Sequence, residues 1–220
     1  SFLDLQYRMH PQIAAFPSLQ FYGGKVGSVP TPQDRPVVPG LTWPSSDIPI
    51  AFVEISGLET REPDGNSLYN KEEAKIAIGI VKKLLKSGGL AGPGDIGVIS
   101  PYAAQVRRLQ EEYGVIGKPK RNYLDLTEED LMNELEIRSV DGFQGREKEV
   151  IVLCTVRNNS SSGIGFVADP RRLNVGITRA KRGLIVLGNR KTLSKNETWR
   201  NWFEWIDKHN CTVVDNTKFF

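Results

Sequence analysis

The residues best suited to chemistry are arginines set beside apolar runs. Asp169-Pro170-Arg171-Arg172-Leu173-Asn174-Val175-Gly176-Ile177-Thr178-Arg179-Ala180-Lys181-Arg182 leads into Gly183-Leu184-Ile185-Val186-Leu187-Gly188-Asn189. A guanidinium is planar, permanently charged and forked, so Arg179 suits bidentate contact with phosphate oxygens. With Arg171, Arg172, Lys181 and Arg182 it makes one dense cationic cluster in the sequence. The alternative is a solvated basic helix face with a few ion pairs. A second segment, Ser139-Val140-Asp141-Gly142-Phe143-Gln144-Gly145-Arg146-Glu147-Lys148-Glu149, precedes the apolar Val150-Ile151-Val152-Leu153-Cys154-Thr155-Val156. Gly142 and Gly145 permit close backbone approach or unusual torsions. Hydroxyl and N–H groups at such a turn can bind phosphate, and Glu147 can accept from a ribose hydroxyl. The alternative there is a strand-to-helix turn capped by Asp141. Tyr7-Arg8 places a stacking ring next to a phosphate-seeking cation. His10 has no acid or nucleophile near it in sequence and is read as structural. His209 is read as a favourable cation at a helix end.

Several groups are missing from this inventory. No Gly-x-x-x-x-Gly-Lys-Ser/Thr phosphate loop occurs. No Asp-Glu pair follows a hydrophobic strand to hold magnesium, and Glu128-Glu129-Asp130 lie in an acidic helical stretch. Cys154 and Cys211 show no metal spacing, and Cys154 sits in an apolar run as a small core residue. No metal ligands are therefore assigned, and a reducing compartment is expected.

These segments need a scaffold. The chain has 220 residues, 39% hydrophobic and 25% charged, enough for one well-filled core. The net charge of +3 permits a polyanion partner without requiring one. No apolar run approaches the roughly 18 residues of a membrane span, and no signal peptide is visible. Ser1 in place of Met leads us to expect a piece of a longer protein. Pro11 opens a short helix to about Phe16, and residues 22–49, rich in Gly and Pro, read as a long surface loop. Strands are predicted at 50–55, 96–100, 136–140, 150–156, 184–187 and 211–214. Helices are predicted at 70–86, capped by Asn70, at 101–113, and at 197–209 with a Trp199/Trp202/Phe203/Ile206 face. Residues 57–66 read as a loop, 118–121 as a basic loop and 127–135 as a short acidic helix. Strands alternating with helices predict an α/β domain with a mainly parallel sheet covered on both faces. Ligands in such sheets bind at the carboxyl ends of the strands, where Ser100, Ser139 to Gly145, Arg157 and Asn189 fall.

Four stretches, Gln6-Tyr7-Arg8-Met9-His10-Pro11, Ser100-Pro101-Tyr102, Ser139 to Glu149 and Gly165 to Asn189, resemble motifs of superfamily 1 helicases. The group containing the up-frameshift helicase of nonsense-mediated decay, senataxin and the immunoglobulin mu-binding helicase is the most similar. The order and spacing match to about residue 205. The resemblance implies that residues 1–220 are the second RecA-like domain of a helicase core. The first such domain, absent from this chain, would carry the phosphate loop and the magnesium carboxylates. ATP and Mg2+ are the implied cofactors. Arg8 and Arg179 would be arginine fingers on the γ-phosphate, and Tyr7 would stack on adenine. Glu147 would meet the ribose, with Gln144 and Gly145 shaping that edge. Ser100, Pro101, Tyr102, Ser139, Val140 and Asp141 would touch the backbone of a single strand, RNA ahead of DNA. The family often has Thr where this chain has Ser100, and the hydroxyl is kept.

The implied activity is ATP-dependent 5′-to-3′ translocation, with no useful hydrolysis by this domain alone. The implied partners are the first RecA-like domain, single-stranded nucleic acid and regulatory proteins, with no membrane and an intracellular site, cytoplasmic or nuclear. Two other readings compete. One is a non-catalytic single-strand-binding module of degenerate helicase fold. The other is a protein-interaction domain docking through residues 22–49.

Overall fold

The structure, a computed structural model, describes residues 4–63, 65–114, 134–160 and 163–219. The expected basic loop at 118–121, and the expected helix at 127–135 except for its last two residues, lie outside them. The chain opens with β1 (Leu5–Gln6) and α1 (Pro11–Tyr22), then β2 (Gly27–Ser28), which pairs with β1. After the long loop come β3 (Ile50–Glu54) and a small hairpin of β4 (Thr60–Arg61) and β5 (Leu68–Tyr69). Next are α2 (Lys71–Lys86), β6 (Ile96–Ser100), α3 (Ala103–Tyr113) and β7 (Glu136–Ser139). A single 3-10 turn, Asp141–Phe143, leads to β8 (Lys148–Cys154). The chain ends with α4 (Pro170–Ile177), β9 (Ala180–Gly188), α5 (Arg190–Leu193), α6 (Glu197–Lys208) and α7 (Asn216–Phe219).

Period-two burial builds the centre. In β8, Ile151 and Leu153 enter one core, and Val150, Val152 and Cys154 enter the other. Leu184 and Val186 of β9 oppose Ile185 and Leu187 in the same way. With both faces apolar, these strands must be covered twice. The first core holds Ile13 and Phe16 of α1, Leu173 of α4, and Trp202 and Phe203 of α6. The second holds Ile78 and Val81 of α2, Leu109 of α3, and Phe219 of α7. Each large side chain withdrawn from water there contributes roughly 1.5–3 kcal/mol. The central sheet has the order β3-β9-β8-β6-β7, and every pairing in it is parallel. This is the RecA-like α/β arrangement expected.

Local signals account for most boundaries. The Asn70 side chain accepts from the Glu73 N–H and starts α2. Asn196 does the same for α6 through Trp199 N–H. The α1 helix runs to Tyr22, beyond the expected end near Phe16, and stops where Gly23 takes the left-handed conformation at φ +59°. The β9 strand begins at Ala180, ahead of the expected Leu184. The expected last strand reduces to a single bridge between Phe52 and Thr212. Residues 57–66, expected as a loop, contribute half of the small hairpin.

One glycine sets a packing limit. A Cβ on Gly97 would lie 2.6 Å from Phe143 Cζ and 2.8 Å from Ile151 Cδ1. The ring of Phe143, fully buried, fills the space that Gly97 leaves. Overpacked cores lose about 1–3 kcal/mol. Gly97→Ala should therefore lower the unfolding free energy by that amount, read as a lower urea midpoint at an unchanged slope of the transition.

Candidate functional site

At the amino ends of β8 and β9 three stretches of chain meet. Glu147 directly precedes β8, Arg179 directly precedes β9, and the turn after β1 brings in Arg8. Gln6 shapes that turn. Its Oε1 accepts from the backbone N–H groups of Arg8 (2.9 Å) and Met9 (2.7 Å), and its Nε2 donates to Met9 O and Ser28 Oγ. Arg35, from the long loop, donates to the carbonyls of Arg8 (2.8 Å) and Tyr7 (3.2 Å). The His10 N–H bonds the Lys181 carbonyl at 2.8 Å, pinning the segment to β9.

Charge then collects at one point. Arg8 Nε pairs with Glu147 Oε2, and Arg8 Nη1 donates to the Thr178 carbonyl at 2.8 Å. Lys181 Nζ reaches the other Glu147 oxygen at 3.1 Å. The hydrogen bond from Arg8, with Lys181 beside it, holds the Glu147 carboxyl below its usual range. Arg179 bonds only the Val175 carbonyl (3.1 Å) and Thr178 Oγ1 (3.4 Å), and among the described residues it has no carboxylate partner. Burial, and then the positive charge of Arg8, pull its guanidinium below the usual value. Lys181 and Arg182 also pair with Glu149, so Arg8, Arg179, Lys181 and Arg182 face only Glu147 and Glu149, which leaves an excess of positive charge. Such a place suits a polyanion such as a nucleotide triphosphate. Tyr7 stands 66% exposed beside it. Gln144 and Gly145 are exposed on the approach to Glu147, with Gly145 at φ +78°.

This cluster lies away from the carboxyl ends, where ligands are expected to gather. Glu147 and Arg179 each precede a parallel strand, so they lie at the opposite end from Ser100 and Ser139. The arginine cluster is also divided. Arg171 and Arg172 lie in the first turn of α4, and Arg179, Lys181 and Arg182 follow the helix, so roughly 8 Å of helix separates them.

The carboxyl end holds a second group. Ser100 is fully buried and its Oγ accepts from Tyr102 N–H; Tyr102 and Val140 are buried as well. Their side chains face inward in this structure. They shape the turns that present Pro101, Ser139 and Asp141. Ser139 Oγ accepts from Gly142 N–H at 3.0 Å, so Ser139 closes the turn that Asp141 was expected to cap. Asp141 instead pairs with Arg172 at 3.1 Å. Arg157, 5% exposed, bonds Glu59 through Nε (2.9 Å) and Nη2 (3.2 Å), and the Tyr102 hydroxyl through Nη1 (3.2 Å). His10 is the structural residue expected, its Nδ1 accepting from Gln12 N–H at the start of α1. Among the described residues, no group of three or more His, Cys, Asp or Glu could hold a metal ion.

A family model described as an AAA domain matches residues 1–191. The chain is 42% identical over 211 residues to "Regulator of nonsense transcripts 1" of Dictyostelium discoideum. That match covers 96% of this chain and 15% of that protein. It is 39% identical over 212 residues to "ATP-dependent helicase NAM7" of Saccharomyces cerevisiae, covering 96% of this chain and 21% of that one. It is 40% identical over 198 residues to "ATP-dependent helicase upf1" of Schizosaccharomyces pombe, covering 90% and 20%. The chain belongs to the up-frameshift-like superfamily 1 helicases. This helicase-family chain spans only about a fifth or less of the length of these curated relatives.

Sequence reading of this helicase domain gave no role to Gln6, Arg35, Lys181 at Glu147, Glu59 or Glu73. Gln6 and Lys181 stood inside the quoted motifs, so the signal was present. Glu59 and Glu73 carried none, because their partners Arg157 and Val156 are distant in sequence. Glu73 is fully buried in α2, and both its oxygens lie 3.0 Å from the N–H of Val156, a β-branched residue at φ +70°. Burial pushes its carboxyl up from 4.5 to about 8. The folded state thus holds a proton that the unfolded chain releases earlier. The stabilisation is complete below pH 4.5 and is lost as pH rises through about 8. Urea midpoints from about pH 5 to about pH 9 should fall for the wild type and stay flatter for Glu73→Gln.

Proposed function

We propose that this chain is the second RecA-like domain of an ATP-dependent helicase core that translocates 5′ to 3′ along a single strand. The observation that carries this reading is Arg179, half-buried beside Arg8 and Lys181 with no carboxylate partner among the described residues. Glu147 attracts Arg179 only from a distance, and a half-buried cation without a direct ion pair is costly unless an anion completes it. A pure strand binder at the other end of the sheet has no use for that arrangement.

ATP, with Mg2+ held by the first RecA-like domain, would supply the transferable γ-phosphoryl group. Arg8 and Arg179 act as arginine fingers, neutralising charge that grows on that group. Glu147 and the Thr178 carbonyl hold Arg8 in place. When a phosphate takes over Arg8, the Glu147 carboxylate remains with Lys181 and is free to accept from a ribose hydroxyl. The exposed Tyr7 ring stacks on adenine, and Gln144 and Gly145 border that edge. At the carboxyl end, Ser139, Pro101 and the backbone around Asp141 follow the sugar-phosphate chain, a contact that carries no sequence information. Movement comes from the difference in affinity between closed and open arrangements of the two domains. RNA is favoured over DNA as the track because the relatives' names refer to transcripts. The partners are the first domain, the strand and regulatory proteins, within the cytoplasm or nucleus. Among the described residues, no helix is long and apolar enough to cross a membrane.

The chain alone should turn over little ATP. In the complete two-domain core, Arg8→Ala or Arg179→Ala should lower strand-stimulated hydrolysis roughly a thousandfold or more. Affinity for the strand should change only a few-fold. Near-normal turnover in both variants overturns the reading.

A further inference from the structure

Phe166 stands out at the carboxyl end of the sheet. It is 58% exposed, while its neighbours Ile164 and Val167 are buried. A lone exposed apolar residue is ordinary, but this ring is fixed in place. The Arg172 guanidinium lies 5.2 Å from its centroid. Tyr102 lies 5.6 Å away, its plane inclined by 47°. Both supports are themselves anchored. Arg172 pairs with Asp141, and the Tyr102 hydroxyl accepts from buried Arg157. Gly165, at φ +64°, turns the chain closely around the Arg157 guanidinium, where a Cβ would collide, and so delivers the next residue outward. A small cleft of about 20 Å³ adjoins the Arg172 support and is lined also by Pro101, Val140 and Val167.

We infer that Phe166, backed by Arg172 and Tyr102, is a stacking platform for one nucleobase of the bound single strand. The inference rests on the proposed backbone contacts at Pro101, Ser139 and Asp141, and it adds a base-facing element to them. An aromatic face accepts any base, so the platform is sequence-tolerant. Its supports hold the ring before the strand arrives, so little side-chain freedom is lost on binding. Arg172 adds positive charge next to the ring, where a phosphate passes.

The test is strand affinity of the complete core, using an unstructured RNA strand and a series of the same strand with one abasic nucleotide moved along it. The wild type should bind roughly tenfold more weakly when the abasic position meets the ring. Phe166→Ala should bind the intact strand roughly tenfold more weakly and become indifferent to that position. Its salt dependence should be unchanged, since a neutral ring displaces no counter-ions. Phe166→Trp should restore both affinity and abasic sensitivity. Wild-type affinity in a folded Phe166→Ala, or a wild type indifferent to every abasic position, overturns the platform and leaves the backbone contacts standing. Absence of strand binding by the wild type itself overturns the backbone contacts and the platform together.

Discussion

All five strands of the central sheet run in one direction, so each connection must carry the chain from the carboxyl end back to the amino end. The arrangement of this domain follows from that constraint. Residues 140–147 begin beside Ser139 and finish at Glu147. The α4 helix, capped by Asp169, sets Arg172 of its first turn over the Phe166 ring, and its carboxyl end is bonded by Arg179. The strand-facing end and the arginine end are thus the two ends of the same two crossovers. Phe143 anchors one against Gly97, and Leu173 anchors the other in the core. A shift of either crossover along its length would be felt at both ends, because each is packed against the sheet between them.

Electrostatics follow the same division. At the amino end two carboxylates, Glu147 and Glu149, serve four cations: Arg8 and Lys181 pair with Glu147, Lys181 and Arg182 with Glu149, and Arg179 forms no ion pair among the described residues. At the carboxyl end the cations are matched, Arg157 by Glu59 and Arg172 by Asp141. Burial is offset at Glu59 by the hydrogen bonds from Arg157 and Asn159, so that its carboxyl stays below the usual range. One end therefore keeps charge in reserve, and the other uses charge to hold turns and rings in position.

Much of this was legible in the sequence. Continuous apolar runs marked β8 and the core of β9, and 3.6-residue spacing marked α2 and α6, because burial on one or both faces leaves a periodic trace. The arginines at 8 and 179 were visible by type and setting. The ends were harder to read. Ala180, Lys181 and Arg182 belong to β9 although two of them are cations, since Glu147 and Glu149 pair with them from the next strand. Burial of Ser100, Tyr102 and Val140 was hidden because nothing in a polar or mixed tripeptide says which atoms face inward. Division of the basic cluster by α4 was hidden because nearness in sequence conceals the length of a helix. Partners such as Glu73 and Val156 meet only through the fold.

The strand order has a consequence for how the chain is made. In the sheet β3 pairs with one strand, β9, with Ile50 beside Leu184, and among the described residues its other edge meets only the late bridge at Thr212. During synthesis β3 emerges early and waits without a strand partner until almost the whole domain has been produced. Closing that long loop is slow compared with forming the local α2 and α3 helices. In the interval, Phe52 and Val53 belong to an apolar strand with open edges, the kind of surface that chaperones recognise and that aggregates when left alone. The same late insertion of β9 thus completes the arginine end and covers the open edge of β3.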